Sequence, residues 1–140
     1  MENYQPIEDM GVKIYLPVVN RARIIGKGTR IGAFCDIGAN VEIGKNNNIQ
    51  CGVFISNGTK IGNGNFIGPG VRFLNDKHMN GLEQAPQVGN NCRIGGGTLV
   101  NPGVKIGNNV FICSGALITK DISDGAEIMP ISRKKERVVW

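Results

Sequence analysis

The residues of this 140-residue chain best suited to chemistry stand in one short stretch, Asn75-Asp76-Lys77-His78. His78 is the only histidine. Histidine is the side-chain type that most often serves as a general base. Asn75 and Asp76 are competing candidates, although an Asn-Asp pair also suits a turn in which both side chains imitate backbone geometry. The four cysteines, Cys35, Cys51, Cys92 and Cys113, lack zinc-ligand spacing. Cys35 and Cys92 read as small buried hydrophobes. No metal is expected.

What must hold this stretch is a repeat. An aliphatic residue returns every sixth position at Ile25, Ile31, Ile37, Ile43, Ile49, Ile55, Ile61 and Ile67, with Phe73 next. The pattern resumes at Val88, Ile94, Val100, Ile106, Ile112 and Ile118. The fifth residue of each hexad is mostly small or β-branched and lies two before the next aliphatic, on the same strand face. The fourth residue is Gly or Asn in twelve of the fourteen hexads that begin with Ile or Val, the exceptions being Phe34 and Asp121. Gly and Asn accept positive φ, so each hexad predicts a short strand followed by a tight corner. Such units stack into a parallel β-helix.

Between Phe73 and Val88 the spacing stretches from six residues to fifteen. Residues 75–87 are therefore expected to leave the helix as one external loop, and loops on a rigid scaffold commonly carry function. The length fits a single domain: a lead-in over 1–24, coils over 25–122 and a C-terminal tail over 123–140, forming a short helix or a final strand.

The Ile-Gly-x-Gly-x-x pattern resembles the hexapeptide-repeat acyltransferases. The resemblance implies an all-β fold, a left-handed parallel β-helix with three hexads per coil. The hand rests on the resemblance alone, since crossover physics favours the right. Within that family, Ile67-Gly68-Pro69-Gly70-Val71-Arg72-Phe73-Leu74-Asn75-Asp76 is similar to the nucleotide-linked amino-sugar N-acetyltransferases, as is Ile49–Ile55. The implied activity is acetyl-CoA-dependent acetylation of the amine of a nucleotide-linked amino-deoxysugar, in the service of cell-surface polysaccharide. Asn75 would position the sugar nucleotide, and Asp76 or His78 would take the proton.

Two stretches depart from the resemblance. Lys77-His78-Met79-Asn80 replaces an aromatic or Leu followed by Pro-Arg, and Ser56-Asn57-Gly58 replaces Tyr-Glu-Gly.

The segments Asn101–Val110 and Ser114–Ile122 are close to the coils that, in this family, take the pantetheine arm of coenzyme A. Gly96, Gly97, Gly115 and Ala116 are the implied lining, with Lys120, Arg133 and Lys134 toward the phosphates. A backbone amide near Gly97 or Gly115 is the expected oxyanion donor. The resemblance further implies a homotrimer with active sites at subunit interfaces.

Two alternatives stand: an O-acetyltransferase of the small-sugar or xenobiotic type using His78, similar in the return Pro86–Asn91, and a catalytically silent assembly module. A carbonic anhydrase on this fold needs three zinc-binding histidines, which one histidine excludes.

The formal charge of +5 sits largely in Arg133, Lys134, Lys135 and Arg137. No aromatic platform accompanies these cations, so nucleic acid is not an expected partner. No long apolar run and no charged leader occur, so no membrane is expected and the setting is read as cytoplasmic.

Overall fold

The structure, a computed structural model, describes residues 7–9 and 11–130. Arg133, Lys134 and the helix or strand expected beyond position 130 lie outside the described residues. Each hexad folds as a two-residue strand and a four-residue corner, and successive strands turn through three walls. Wall I stacks Val12–Ile14, Arg30–Ile31, Asn48–Ile49, Phe66–Ile67, Arg93–Ile94, Phe111–Ile112 and Glu127–Ile128, with Ile7–Asp9 antiparallel at one end.

Wall II stacks Val19–Asn20, Asp36–Ile37, Phe54–Ile55, Arg72–Phe73, Leu99–Val100 and Leu117–Ile118. Wall III stacks Ile24–Ile25, Glu42–Ile43, Lys60–Ile61, Gln87–Val88 and Lys105–Ile106. The chain is all-β, a left-handed parallel β-helix.

Period-two alternation puts the first and fifth hexad residues inside. Ile37, Ile55, Ile67 and Phe73 are fully buried, as are the fifth-position Val41, Val53 and Val71. In-register pairing sets aliphatic on aliphatic from coil to coil, as at Ile31 on Ile49 and Ile67 on Ile94.

One inward column is polar. Thr29, Asn47 and Asn65 are buried at the edge between walls III and I. Each is bonded to the next coil: Thr29 Oγ1 donates to Gly44 O at 2.8 Å, Asn47 Nδ2 to Gly62 O at 2.8 Å and Asn65 Nδ2 to Gly89 O at 3.0 Å. Their oxygens accept the amides of Asn47, Asn65 and Cys92. Satisfied in this way, the column avoids the desolvation penalty of an orphaned polar group.

The fourth-position expectation holds. Asn40 sits at φ 59 and Gly97 at φ 70. Phe34 adopts the same conformation, φ 64, although it is bulky and 72% exposed. The second-position glycines have a different cause. A Cβ on Gly62 would stand 2.5 Å from Gly89 O, so the stacked backbones leave no room for a side chain.

Candidate active site

The loop leaves the column where wall II meets wall III. At this edge each coil is tied to the next by a corner amide: Gly58 N donates to Ala39 O and Gly103 N to Gln84 O, both at 2.9 Å. At the equivalent place between them, Asn57 O accepts the side chain of Asn75, Nδ2 donating at 3.2 Å. Asn75 therefore stands in for the rung that the loop interrupts. Its own carbonyl accepts Gln84 N at 2.6 Å, drawing the two feet of the loop together. Asn57 also accepts Ala39 N at Oδ1, 2.8 Å away. An asparagine in place of the acidic residue thus knits the loop to the coil.

Asp76 is occupied in the same way. Its carboxylate accepts Gly81 N at 2.7 Å and Asn80 N at 3.1 Å. These amides, Gly81 first, hold its carboxyl below the usual range. It is a weaker proton acceptor than a free carboxylate and works as the loop's internal turn. His78 is exposed on the same loop, beside Lys77 and Met79.

One residue the sequence analysis passed over stands at the loop's foot. Arg72 points outward from wall II, registered between Phe54 and Leu99, and forms no ion pair among the described residues. Its signal was the outward position before each aliphatic, whereas the sequence reading followed the inward ones.

On the donor side, Gly96, Gly97, Gly115 and Ala116 fall on the edge between walls I and II. A Cβ at Gly97 or Gly115 would meet nothing within 4 Å. Gly115, Ala116, Cys113, Leu117 and Met129 line a cavity of about 420 Å³. It adjoins a second, of about 250 Å³, on wall I, where the Arg93 guanidinium lies 5.8 Å from the Phe111 ring centroid and Phe66 flanks it.

Of the amides in the region expected to hold the oxyanion, two are engaged. Gly97 N already donates to Pro69 O at 2.9 Å and Gly115 N to Gly96 O at 2.8 Å, so both amides are spent on stacking. Lys120 is exposed on the opposite edge of wall II from the glycines, the edge that carries the loop. One chain therefore does not bring Asn75, Asp76, His78 and Lys120 together with Gly96, Gly97, Gly115 and Ala116. They border the same wall from its two sides, with Arg72, Leu99 and Leu117 between. Among the described residues no group of His, Cys, Asp and Glu gathers to hold a metal.

Solved structures share this fold. The acetyltransferase domain of PglB from Neisseria gonorrhoeae, in complex with acetyl coenzyme A, superposes with a TM-score of 0.72 at 23% identity, over 84% of this chain and 54% of that one. PerB from Caulobacter crescentus, in complex with CoA and GDP-perosamine, gives 0.71 at 25% identity, over 82% and 52%. AntD, an N-acyltransferase from Bacillus cereus in complex with dTDP and 3-hydroxybutyryl-CoA, gives 0.63 at 18%, over 81% and 72%. The chain thus spans about half the length of the first two. No curated protein matches the sequence. Residues 24–57 and 85–120, the coils on either side of the loop, match the hexapeptide repeat, and the chain belongs to the bacterial transferase hexapeptide (six repeats) family.

Proposed function

We propose that the protein transfers an acetyl group from acetyl-CoA to the amine of a nucleotide-linked amino-deoxysugar. The observation that carries this reading is the placement of the one polar loop beside Arg72 on a hexapeptide-transferase column. The similar PerB structure, which contains CoA and GDP-perosamine, supports the choice of donor and acceptor class. Catalysis rests on proximity, bringing a neutral amine against the thioester carbonyl. His78 accepts the amine proton, since the Asp76 carboxylate is turned to its own loop amides. Asn75 holds the loop in place from its foot. Gly96 and Ala116, whose amides donate to no protein acceptor among the described residues, are the donors left on this lining for the developing oxyanion.

The proposed assembly is a homotrimer with sites between subunits, and the proposed setting is the cytoplasm, serving cell-surface polysaccharide synthesis. No helix among the described residues is long and apolar enough to cross a membrane.

Release of the CoA thiol is the test, with acetyl-CoA and a panel of nucleotide-linked amino-deoxysugars. Transfer to at least one amine supports the reading. No detectable acetyl-CoA binding by calorimetry moves the protein to a silent assembly module. A second reading, O-acetylation through His78, is favoured by the engagement of the Asn75 amide with Asn57 O. Loss of turnover in His78→Ala with Asn75→Ala tolerated, and a hydroxyl acceptor, would select it.

A further inference from the structure

We propose that the loop modifies itself: the Asn80 side chain closes onto the Gly81 nitrogen, loses ammonia and becomes an aspartyl or isoaspartyl residue. The loop assembles the three parts this needs, a nucleophilic nitrogen, a base on its proton and a donor on the carbonyl it attacks.

The chain has three Asn-Gly pairs, at 57–58, 63–64 and 80–81. Glycine lets a preceding asparagine reach the next backbone nitrogen without a Cβ in the way, so the sequence makes the three equivalent. The fold does not. Asn57 Oδ1 accepts Ala39 N at 2.8 Å, and Gly58 N donates to Ala39 O at 2.9 Å. Asn63 Oδ1 accepts Lys45 N at 2.7 Å, and Gly64 N donates to Lys45 O at 2.9 Å. Both pairs are clamped to the preceding coil, and closure there breaks two ties between coils. A peptide carbonyl is also too weak a base to take the glycine proton. Asn63 is exposed, as Asn80 is, so access to water does not separate them.

At 80–81 the same groups face different partners. Gly81 N donates to Asp76 Oδ2 at 2.7 Å, so the proton of the nucleophile already lies on a carboxylate. Asp76 Oδ1 accepts Asn80 N at 3.1 Å and keeps that carboxylate beside the peptide. The bonds that make Asp76 a poor base for an outside amine aim it at this proton. Asn80 Oδ1 accepts Leu82 N at 3.1 Å, a turn that folds the side-chain amide back along its own backbone past Gly81. The Leu82 N–H thereby points at the oxygen on which negative charge develops. A Cβ at Gly81 would meet nothing within 4 Å, so the approach is open. Asn80 Nδ2, the leaving group, donates to no protein acceptor among the described residues.

The step needs no oxidant or reductant. The Gly81 nitrogen attacks Asn80 Cγ as its proton passes to Asp76, while Leu82 N–H holds the oxyanion. The Cγ–Nδ2 bond then breaks, and Nδ2 leaves as ammonia with the proton from Asp76. Solvent water opens the remaining succinimide. Opening at Cγ gives aspartate, and opening at the backbone carbonyl gives isoaspartate, with one more methylene in the chain. Either product sets a new carboxylate beside Asp76, and the like charges weaken the turn. Under the proposed function this is the acceptor loop, so conversion alters that side of the site. That consequence rests on the proposed function; the conversion does not.

The test uses the full chain and no substrate. The protein is held at neutral pH, folded or unfolded in guanidinium chloride, then cut with pepsin at acid pH. Mass spectrometry follows the loss of ammonia and the gain of an acid in each Asn-Gly peptide. Unfolded, the three pairs should convert at similar rates. Folded, Asn80 should convert about tenfold faster than unfolded, a modest share of what a positioned base contributes, and Asn57 and Asn63 more slowly. Asp76→Asn keeps an acceptor for Gly81 N but cannot take its proton, and should return Asn80 to the unfolded rate. Faster conversion in Asp76→Asn than in the wild type would make loop loosening the cause and overturn the proposal. A folded wild type that converts Asn80 no faster than the unfolded chain overturns it as well. Because neither readout involves turnover, failure of the proposed acetyl transfer leaves these results standing on their own.

Discussion

Replacing Asn75 by alanine is expected to loosen the loop before it affects the coil. The change removes one hydrogen bond, from Nδ2 to Asn57 O at 3.2 Å, and leaves that carbonyl without its rung. A net protein hydrogen bond contributes about 1 kcal/mol, and a fully buried orphan adds about 1–3 kcal/mol more. Asn57 is only half-buried, so water reaches the carbonyl and the lower figure applies. The second tie, Gln84 N to Asn75 O, is backbone and survives the substitution.

A cost of about 1 kcal/mol raises the open fraction of the loop about fivefold. Trypsin reports this locally, because Lys77 lies within the loop and is exposed. Cleavage after Lys77 should quicken about fivefold in Asn75→Ala under conditions where the loop recloses faster than it is cut. Asn75→Asp should quicken it further, since a carboxylate set against a carbonyl repels rather than donates. Cleavage after Lys77 at the wild-type rate in both variants would refute the assignment of Asn75 as the missing rung.

Three other outcomes follow from the same geometry. The carboxyl of Asp76 is held low chiefly by Gly81 N–H, so the turn it forms is favoured above the ordinary aspartate value, near about 3.9, and lost as pH falls through its lower folded value. The Gly81 amide resonance should titrate below that ordinary value and stop titrating in Asp76→Asn. Gly62→Ala forces a Cβ to within 2.5 Å of Gly89 O and should cost about 3 kcal/mol. Gly97→Ala meets open space and bears only its positive φ, about 1 kcal/mol; thermal melts that reverse this order would contradict the stacking argument. Burial raises the thiols of Cys35 and Cys92, whereas Cys51 is exposed. Iodoacetamide at mildly alkaline pH should label Cys51 first and reach Cys35 and Cys92 only on unfolding, read by mass spectrometry.

Much of the column was legible because a six-residue period states directly which side chains face inward. The return of Ile or Val, with a small residue two before it, predicted the buried set from Ile31 to Ile118, and the Gly and Asn corners predicted the positive φ at Asn40, Asn46, Asn91 and Asn109. The break between Phe73 and Val88 located the loop. Less was legible at the site. Asn75 and Asp76 were singled out for chemistry, and their side chains hold the loop, because residues a full coil apart, such as Asn57 and Asn75, become neighbours only once the coils stack. An oxyanion donor was expected near Gly97 or Gly115, and only the stacked structure shows that the amides of those two residues are themselves engaged.

The sequence by itself settled the repeat, the inward faces, the corner conformations and the position of the single interruption, since each depends on spacing within one hexad. Only the tertiary structure decided which edge each corner occupies. It put the loop and Lys120 on one side of wall II, and Gly96, Gly97, Gly115 and Ala116 on the other. It also decided which polar groups remain available. That question turns on hydrogen bonds between successive coils, and a linear pattern does not contain them.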